Sequence, residues 1–259
     1  MKKKIKIESL LIKERIVGVV GGVGPEASNK FCEFLIKNKK ANSDQEHLTF
    51  IHYCNPKIPD RTKYILGEGE NPKPEIIRSC KILQKAGASF IVVPCCTSHV
   101  FLKEIQEYVN IPIIDMIRIL VRDVMEKYPK IKNVGILATS GSLKKNIYQN
   151  YFKDVEINAI LPSAKEQEEL VMNALYGSGG IKAGNKNFSK KKLMIITEKL
   201  IKQGAEAIIL GCTEISLVLK QKEFDVPLID PMEITANAVI EYLKKESAQT
   251  SRIIPFFKQ

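Results

Sequence analysis

The chain contains no tryptophan, only three histidines and six cysteines in 259 residues, and aromatic residues make up 7% of it. It has no C-x-x-C pair, and His47, His52 and His99 form no H-x-x-x-H or mixed Cys/His pattern, so no metal site is expected. No apolar run approaches the roughly 18 residues of a membrane span. The opening stretch, MKKKIKIESLLIKERI, is basic but has no apolar h-region before the first strand-like run. It does not read as a signal peptide, and a cytoplasmic protein with no membrane partner is the expectation. RNP-like and zinc-finger patterns are missing too, and so is any expectation of a nucleic-acid partner. With aromatics this sparse, 40 Lys+Arg against 29 Asp+Glu read mostly as a lysine-rich solvated surface. The same positive field would still concentrate a small anion.

What is present is the 44% hydrophobic and 27% charged balance of a globular chain that buries a core. Its length suits one large domain or two ordinary ones. An internal repeat decides between them. Gly87-Ala88-Ser89-Phe90-Ile91-Val92-Val93-Pro94-Cys95 reads like Gly204-Ala205-Glu206-Ala207-Ile208-Ile209-Leu210-Gly211-Cys212, an offset of 117 positions. Gly18 within Ile16–Val20 matches Gly135 within Asn133–Leu137 at that same offset, and Ile111–Asp115 matches Val226–Asp230 at nearly the same one. In each copy, apolar runs rich in Val and Ile alternate with amphipathic Lys/Glu-rich stretches. Strands are expected at 16–21, 48–54, 90–95 and 112–116, then at 133–139, 155–162, 207–212 and 227–231. Helical stretches include 73–86, 164–175 and 190–203. The reading is an α/β fold of two similar doubly wound parallel-sheet domains related by a pseudo-twofold axis, with the active site in the cleft between them. The N-terminal lobe spans 14–117 and is completed by a C-terminal helix at 232–246. The second lobe spans 118–231, and 1–13 and 247–259 are terminal extensions.

The repeat singles out two cysteines. Cys95 and Cys212 each close the third strand of their copy, where ligands bind in open α/β sheets. Facing strand ends would bring the two thiols to one cleft from opposite sides, each followed by a helix start that stabilises a thiolate and offers N–H groups to a carboxylate. One thiolate then removes a proton from a carbon while the other thiol returns one to the opposite face, which inverts the stereocentre without PLP or metal. In a loaded site the sulfurs would lie on the order of 7 Å apart. Cys54 also ends a strand but has no counterpart in the second copy, Cys96 points away from Cys95 along a regular strand, and Cys32 and Cys80 read as core residues on helices. The other reading of the pair is two buried structural thiols.

Five motifs strengthen the enzymatic reading: Gly21-Gly22-Val23-Gly24-Pro25, Asn55-Pro56 with Ile58-Pro59-Asp60-Arg61-Thr62, Pro94-Cys95-Cys96-Thr97-Ser98-His99, Ile181-Lys182-Ala183-Gly184, and Gly211-Cys212-Thr213-Glu214. Together they resemble the aspartate/glutamate racemase family, its aspartate racemase branch in particular, over most of the chain. The resemblance implies a cofactor-independent racemase with Cys95 and Cys212 as its bases. It further implies that Arg61 and Lys182 hold the distal carboxylate of a small acidic amino acid, aspartate first and glutamate second, and that Thr97 and Thr213 hold the α-carboxylate. Asn55 joins the substrate contacts, Glu214 orients the shell of the second cysteine, and His99 caps a helix start or donates from behind the site. A homodimer is implied as well. Where the family has Asn after the first cysteine this chain has Cys96, which alters a substrate-facing position.

The remaining features have blander readings beside this one. Gly21–Gly24 lacks a G-x-G-x-x-G match, and Glu26 disfavours a phosphate there, so the turn is read as bringing backbone close to the substrate. Asp115 and Asp230 read as helix caps. The alternatives to a racemase are a related cysteine-dependent isomerase or decarboxylase, and a non-catalytic two-lobed protein that binds an acidic amino acid.

Overall fold

The computed structural model describes residues 15–248. The expected extension 1–13 and residues 249–259 lie outside the described residues. The strands are β1 (Val17–Gly21), β2 (Phe50–Cys54), β3 (Phe90–Val92), β4 (Asn133–Leu137), β5 (Asn158–Ile160), β6 (Ala207–Leu210) and β7 (Leu228–Ile229). The helices of the first half are α1 (Pro25–Asn38), α2 (Arg61–Leu66), α3 (Lys73–Lys85), α4 (Leu102–Gln106) and α5 (Met116–Lys127). Those of the second are α6 (Ser140–Lys144), α7 (Ile147–Lys153), α8 (Ala164–Glu166), α9 (Asn173–Tyr176), α10 (Lys186–Lys202) and α11 (Pro231–Ala248). A π-helical segment, Gln167–Met172, joins α8 to α9. No helix among the described residues is long and apolar enough to cross a membrane.

Two parallel sheets form, ordered β2-β1-β3 and β5-β4-β6-β7. They share one plan: the first strand of each copy lies between the second and the third, in the doubly wound order that leaves a crevice at the strand carboxyl ends. The shared register explains the repeat. A Cβ on Gly18 would lie 2.9 Å from the Ala88 Cβ, and one on Gly135 would lie 3.1 Å from the Ala205 Cβ. In both lobes a bare strand position therefore admits the incoming loop.

The fourth strands are shorter than expected. In the first lobe only the bridge Ile91↔Ile113 forms, and in the second β7 has two residues. Pro112 and Pro227 supply acceptors but no N–H: Ile91 donates to the Pro112 carbonyl and Ile208 to the Pro227 carbonyl. Shortly beyond, Asp115 accepts from the backbone N–H of Ile117 and Arg118, and Asp230 from that of Met232, so both act as the helix caps expected. The expected strand 155–162 shrinks to β5 because Glu156 adopts φ 58°, which breaks the extended run.

The caps launch helices that cross over. Ile117, Leu120, Val121 and Val124 of α5 pack with Val134, Ile136 and Ile209 of the second lobe. Met232, Ala236 and Val239 of α11 pack with Val17, Phe31 and Phe90 of the first lobe. Each half thus lends its last helix to the other, and α11 continues two residues into the segment read as extension, 247–259.

Candidate active site

Cys95 follows β3 in extended backbone, and its carbonyl accepts the N–H of Ser98 at 3.0 Å. Cys212 follows β6, and its carbonyl accepts the N–H of Ile215 at 2.9 Å. Each cysteine therefore closes the same tight turn three residues on. The turns are short 3-10 segments, Cys96–Phe101 and Ile215–Leu217, rather than the α-helix starts expected. Their axial dipoles are correspondingly weak, and the charge partners of the sulfurs have to come from side chains.

Both cysteines line one cavity between the lobes, with Arg61, Thr62, Cys96, Thr97, Thr139, Tyr176, Lys182, Thr213 and Glu214 around them. Its free space is about 10 Å³, room for about one water, so the lobes are closed over it. A second cavity of about 450 Å³ adjoins it and shares Arg61, Lys182 and Glu214 with it. Gly22, Gly24 and Pro25 form part of that outer wall, so the glycine turn after β1 faces the access side.

The two sulfurs have opposite surroundings. Asp60 caps α2 by accepting from Lys63 N, and Arg61 is the first residue of that helix. The Arg61 guanidinium is buried, donates to the Pro59 carbonyl at 3.1 Å and keeps an unpartnered Nε–H. Desolvation opposes its charge, but Cys95, Asp60 and Tyr176 outweigh that and raise its pKa. On the other side, the Cys212 thiol donates to Glu214 Oε2 at 3.1 Å, Thr213 Oγ1 donates to the same oxygen at 3.2 Å, and Lys182 Nζ donates to Oε1 at 3.0 Å. Burial alone would raise the Glu214 pKa, yet Lys182 and the thiol bring it below the ordinary carboxylate value. Burial raises the Cys212 pKa well above the ordinary thiol value, and the Glu214 charge adds to the effect. Lys182 loses by desolvation, and Glu214, Tyr176 and Cys212 more than restore it. Its ammonium also lies 5.0 Å from the Tyr176 ring centroid.

Thr97 is tied into a triangle of hydroxyls: Thr97 Oγ1 to Thr139 Oγ1 at 3.1 Å, Thr139 Oγ1 to Ser142 Oγ at 3.1 Å, and Ser142 Oγ to Thr97 Oγ1 at 3.0 Å. Thr139, Ser142 and Tyr176 were not picked out from the sequence. Thr139 stands at the repeat offset from Gly22, in the turn after β4, and that signal would have found it.

Asn55 and Cys96 stand differently from expectation, and His99 lies behind the first cysteine. The Asn55 amide donates to Glu75 Oε2 at 3.1 Å and to Ser79 Oγ at 3.2 Å, while its Oδ1 accepts from Lys57 N, so the side chain is engaged within the first lobe and does not line the cavity. His99 turns away from the cavity, with Nδ1 against the Cys95 carbonyl at 3.0 Å and Nε2 accepting from Met116 N at 3.1 Å. It fixes the cysteine backbone to the start of α5. Cys96 lies at the cavity wall, but its thiol packs into the second-lobe core beside Tyr148, and burial raises its pKa. Tyr148 in turn donates to the Gly211 carbonyl at 2.8 Å, next to Cys212. Cys32 and Cys80 are buried thiols whose pKa values rise to about 11 and about 12 by desolvation, while Cys54 is exposed. Among the described residues no group of three or more His, Cys, Asp or Glu is placed to hold a metal ion.

A family model described as Asp/Glu/Hydantoin racemase matches residues 20–239. The chain belongs to the Asp/Glu/hydantoin racemase family. It is an amino-acid racemase, an isomerase, built on the α/β fold with parallel sheets that the family shares. Racemase relatives are similar along most of its length. A protein of Bacillus subtilis (strain 168) named broad specificity amino-acid racemase RacX is 26% identical over 239 residues, 90% of this chain and 100% of the relative. The solved structure of a Picrophilus torridus aspartate racemase superposes with a TM-score of 0.77 at 26% identity, covering 89% of this chain and 94% of that one. A glutamate racemase of Bacillus anthracis shares the fold, with a TM-score of 0.63 at 18% identity over 90% of this chain and 83% of that one.

Proposed function

We propose that this racemase interconverts L- and D-aspartate, with glutamate a poorer substrate, by a cofactor-independent two-base mechanism in which Cys95 and Cys212 act on opposite faces of the α-carbon. The observation that carries the reading is the single closed cavity lined by both cysteines, one from each lobe. The α-proton passes to one sulfur, the carbanion is held as an enolate by hydrogen-bond donors, and the other sulfur delivers a proton from the far side. Thr97 and Thr213, with their hydroxyls in the cavity wall, hold the α-carboxylate. Arg61 takes the distal carboxylate through its open Nε–H and its planar fork, and Lys182 joins it by exchanging Glu214 for the substrate. Asn55 serves by fixing the Ile58–Arg61 loop rather than by touching substrate.

One observation favours a second reading. Lys182 is already neutralised by Glu214, which leaves Arg61 as the cation with an open donor, and a single cation suits amino acids without a distal carboxylate as well. The name of the Bacillus subtilis relative, a broad specificity amino-acid racemase, fits that reading.

The test is incubation with L-aspartate in D₂O without added PLP, following loss of the α-proton and of optical rotation, then the same with glutamate and alanine. Exchange with aspartate and little with alanine is expected; equal rates would replace the first reading by the second. Cys95→Ser and Cys212→Ser should each lower racemisation by roughly 10²–10⁴-fold. Parental rates in either variant would remove that cysteine from the mechanism.

A further inference from the structure

The fold is pseudo-symmetric, but the charges at its two sulfurs are not. Arg61, a buried cation, lines the cavity together with Cys95. Glu214, a buried anion, accepts the S–H of Cys212 at 3.1 Å. An anion that accepts an S–H favours the thiol. We propose that this opposition makes the resting site one-handed: Glu214 holds Cys212 as the thiol acid and leaves the part of first base to Cys95. Glu214 is then a residue in contact with a reacting atom, and its part is to keep the proton on Cys212. The inference rests on the two-cysteine reading and assigns roles within it.

The other groups facing the sulfurs do not cancel the asymmetry. Lys182 faces Cys212 as well, but its ammonium is paired with the far oxygen of Glu214. Tyr148, Tyr176 and Cys96 face one or both sulfurs, and burial raises the pKa of each, which keeps them neutral. Asp60 faces Arg61 and is not among the residues that line the cavity of the two sulfurs. The chemistry has a direction as a result. The free enzyme accepts the enantiomer whose α-hydrogen points at Cys95. The mirror enantiomer is served only after the proton on Cys212 has left.

Racemisation itself hides such a preference, because its two directions share one equilibrium. Elimination does not. With β-chloro-L-aspartate or β-chloro-D-aspartate, which keep the distal carboxylate, one thiolate takes the α-proton and becomes a thiol. The C–H electron pair forms the Cα–Cβ double bond, and chloride leaves with its own pair. The 2-aminobut-2-enedioate that results hydrolyses through its imine to oxaloacetate and ammonium, so each enantiomer reports one cysteine. Cys95→Ser and Cys212→Ser assign which enantiomer belongs to which sulfur. In the parent enzyme near neutral pH the Cys95-served enantiomer should react faster by about tenfold or more, and the rate of the Cys212-served one should climb by about tenfold per pH unit. Glu214→Gln, which removes the anion but keeps an acceptor, should shift the rate ratio by about tenfold or more toward the Cys212-served enantiomer. Should that variant fold poorly, the pH profiles of the parent enzyme decide the question by themselves. Equal rates and equal pH dependence for both enantiomers would overturn the proposal. So would a Glu214→Gln enzyme that loses the Cys212-served reaction, since Glu214 would then be a base that removes the proton. If neither serine variant selects an enantiomer, or if neither enantiomer eliminates, the two-cysteine reading itself falls.

Discussion

Glu214 shows how much chemistry one side chain concentrates. Its two oxygens serve a thiol, a hydroxyl and an ammonium, and it is buried against the turn after β1. A Cβ on Gly24 would lie 2.5 Å from Glu214 Oε1, so only glycine leaves the carboxylate in its place. Gly24→Ala should displace Glu214 from Lys182 and Cys212 and cut racemisation by about tenfold or more, one to two kcal/mol of lost positioning. Circular dichroism would separate this from misfolding, and a parental rate would show that Glu214 is not held by that contact. At this scale the sequence was legible where chemistry and repeat coincided: Cys95, Cys212, Arg61, Lys182 and Glu214 all reach the cavity wall. It was misleading for Asn55, because an amide in a matching motif has the same letters whether it meets a ligand or, as here, Glu75 and Ser79.

At the scale of elements, the turn from β7 into α11 carries an unusual carboxylate. Asp230 caps the helix, yet burial lifts its pKa from 3.8 to about 6. The folded chain thus binds this proton more tightly than the unfolded one. Folding stability owed to Asp230 falls as pH rises from about 4 to about 6 and stays at the lower level above that, a loss of about 2–3 kcal/mol. Asn caps helices as well as Asp does. Asp230→Asn should therefore stabilise the protein more at pH 7.5 than at pH 4, and urea melts at the two values read the difference. An equal effect at both would mean that the carboxyl titrates normally. Strand and helix order was readable from hydrophobic periodicity. Element lengths were not, since the fourth strands end where proline withholds a donor and a cap begins.

Across the whole molecule, closure is the property with functional weight. Thr97 of the first lobe bonds Thr139 of the second, Tyr176 reaches Asp60 at 3.4 Å, and Lys186 pairs with Glu26 across the rim. The inner cavity of about 10 Å³ holds no amino acid in this state, so binding requires the lobes to part and close again. A dicarboxylate such as succinate should lock the closed form. At about a hundred times its Kd it adds about 2.7 kcal/mol, a rise in Tm of roughly 5–10 °C. No rise with succinate, and one with a neutral amino acid, would favour the broader substrate range.

The sequence by itself determined the duplicated α/β plan and the paired cysteines, because hydrophobic period and repeat offset are local properties written along one chain. Only the tertiary structure decided which charge each sulfur meets and which hydroxyls tie the lobes together over them. Those depend on contacts between segments far apart in the chain, such as Thr97 against Thr139 and Lys182 against Glu214, and no spacing rule along the chain records them.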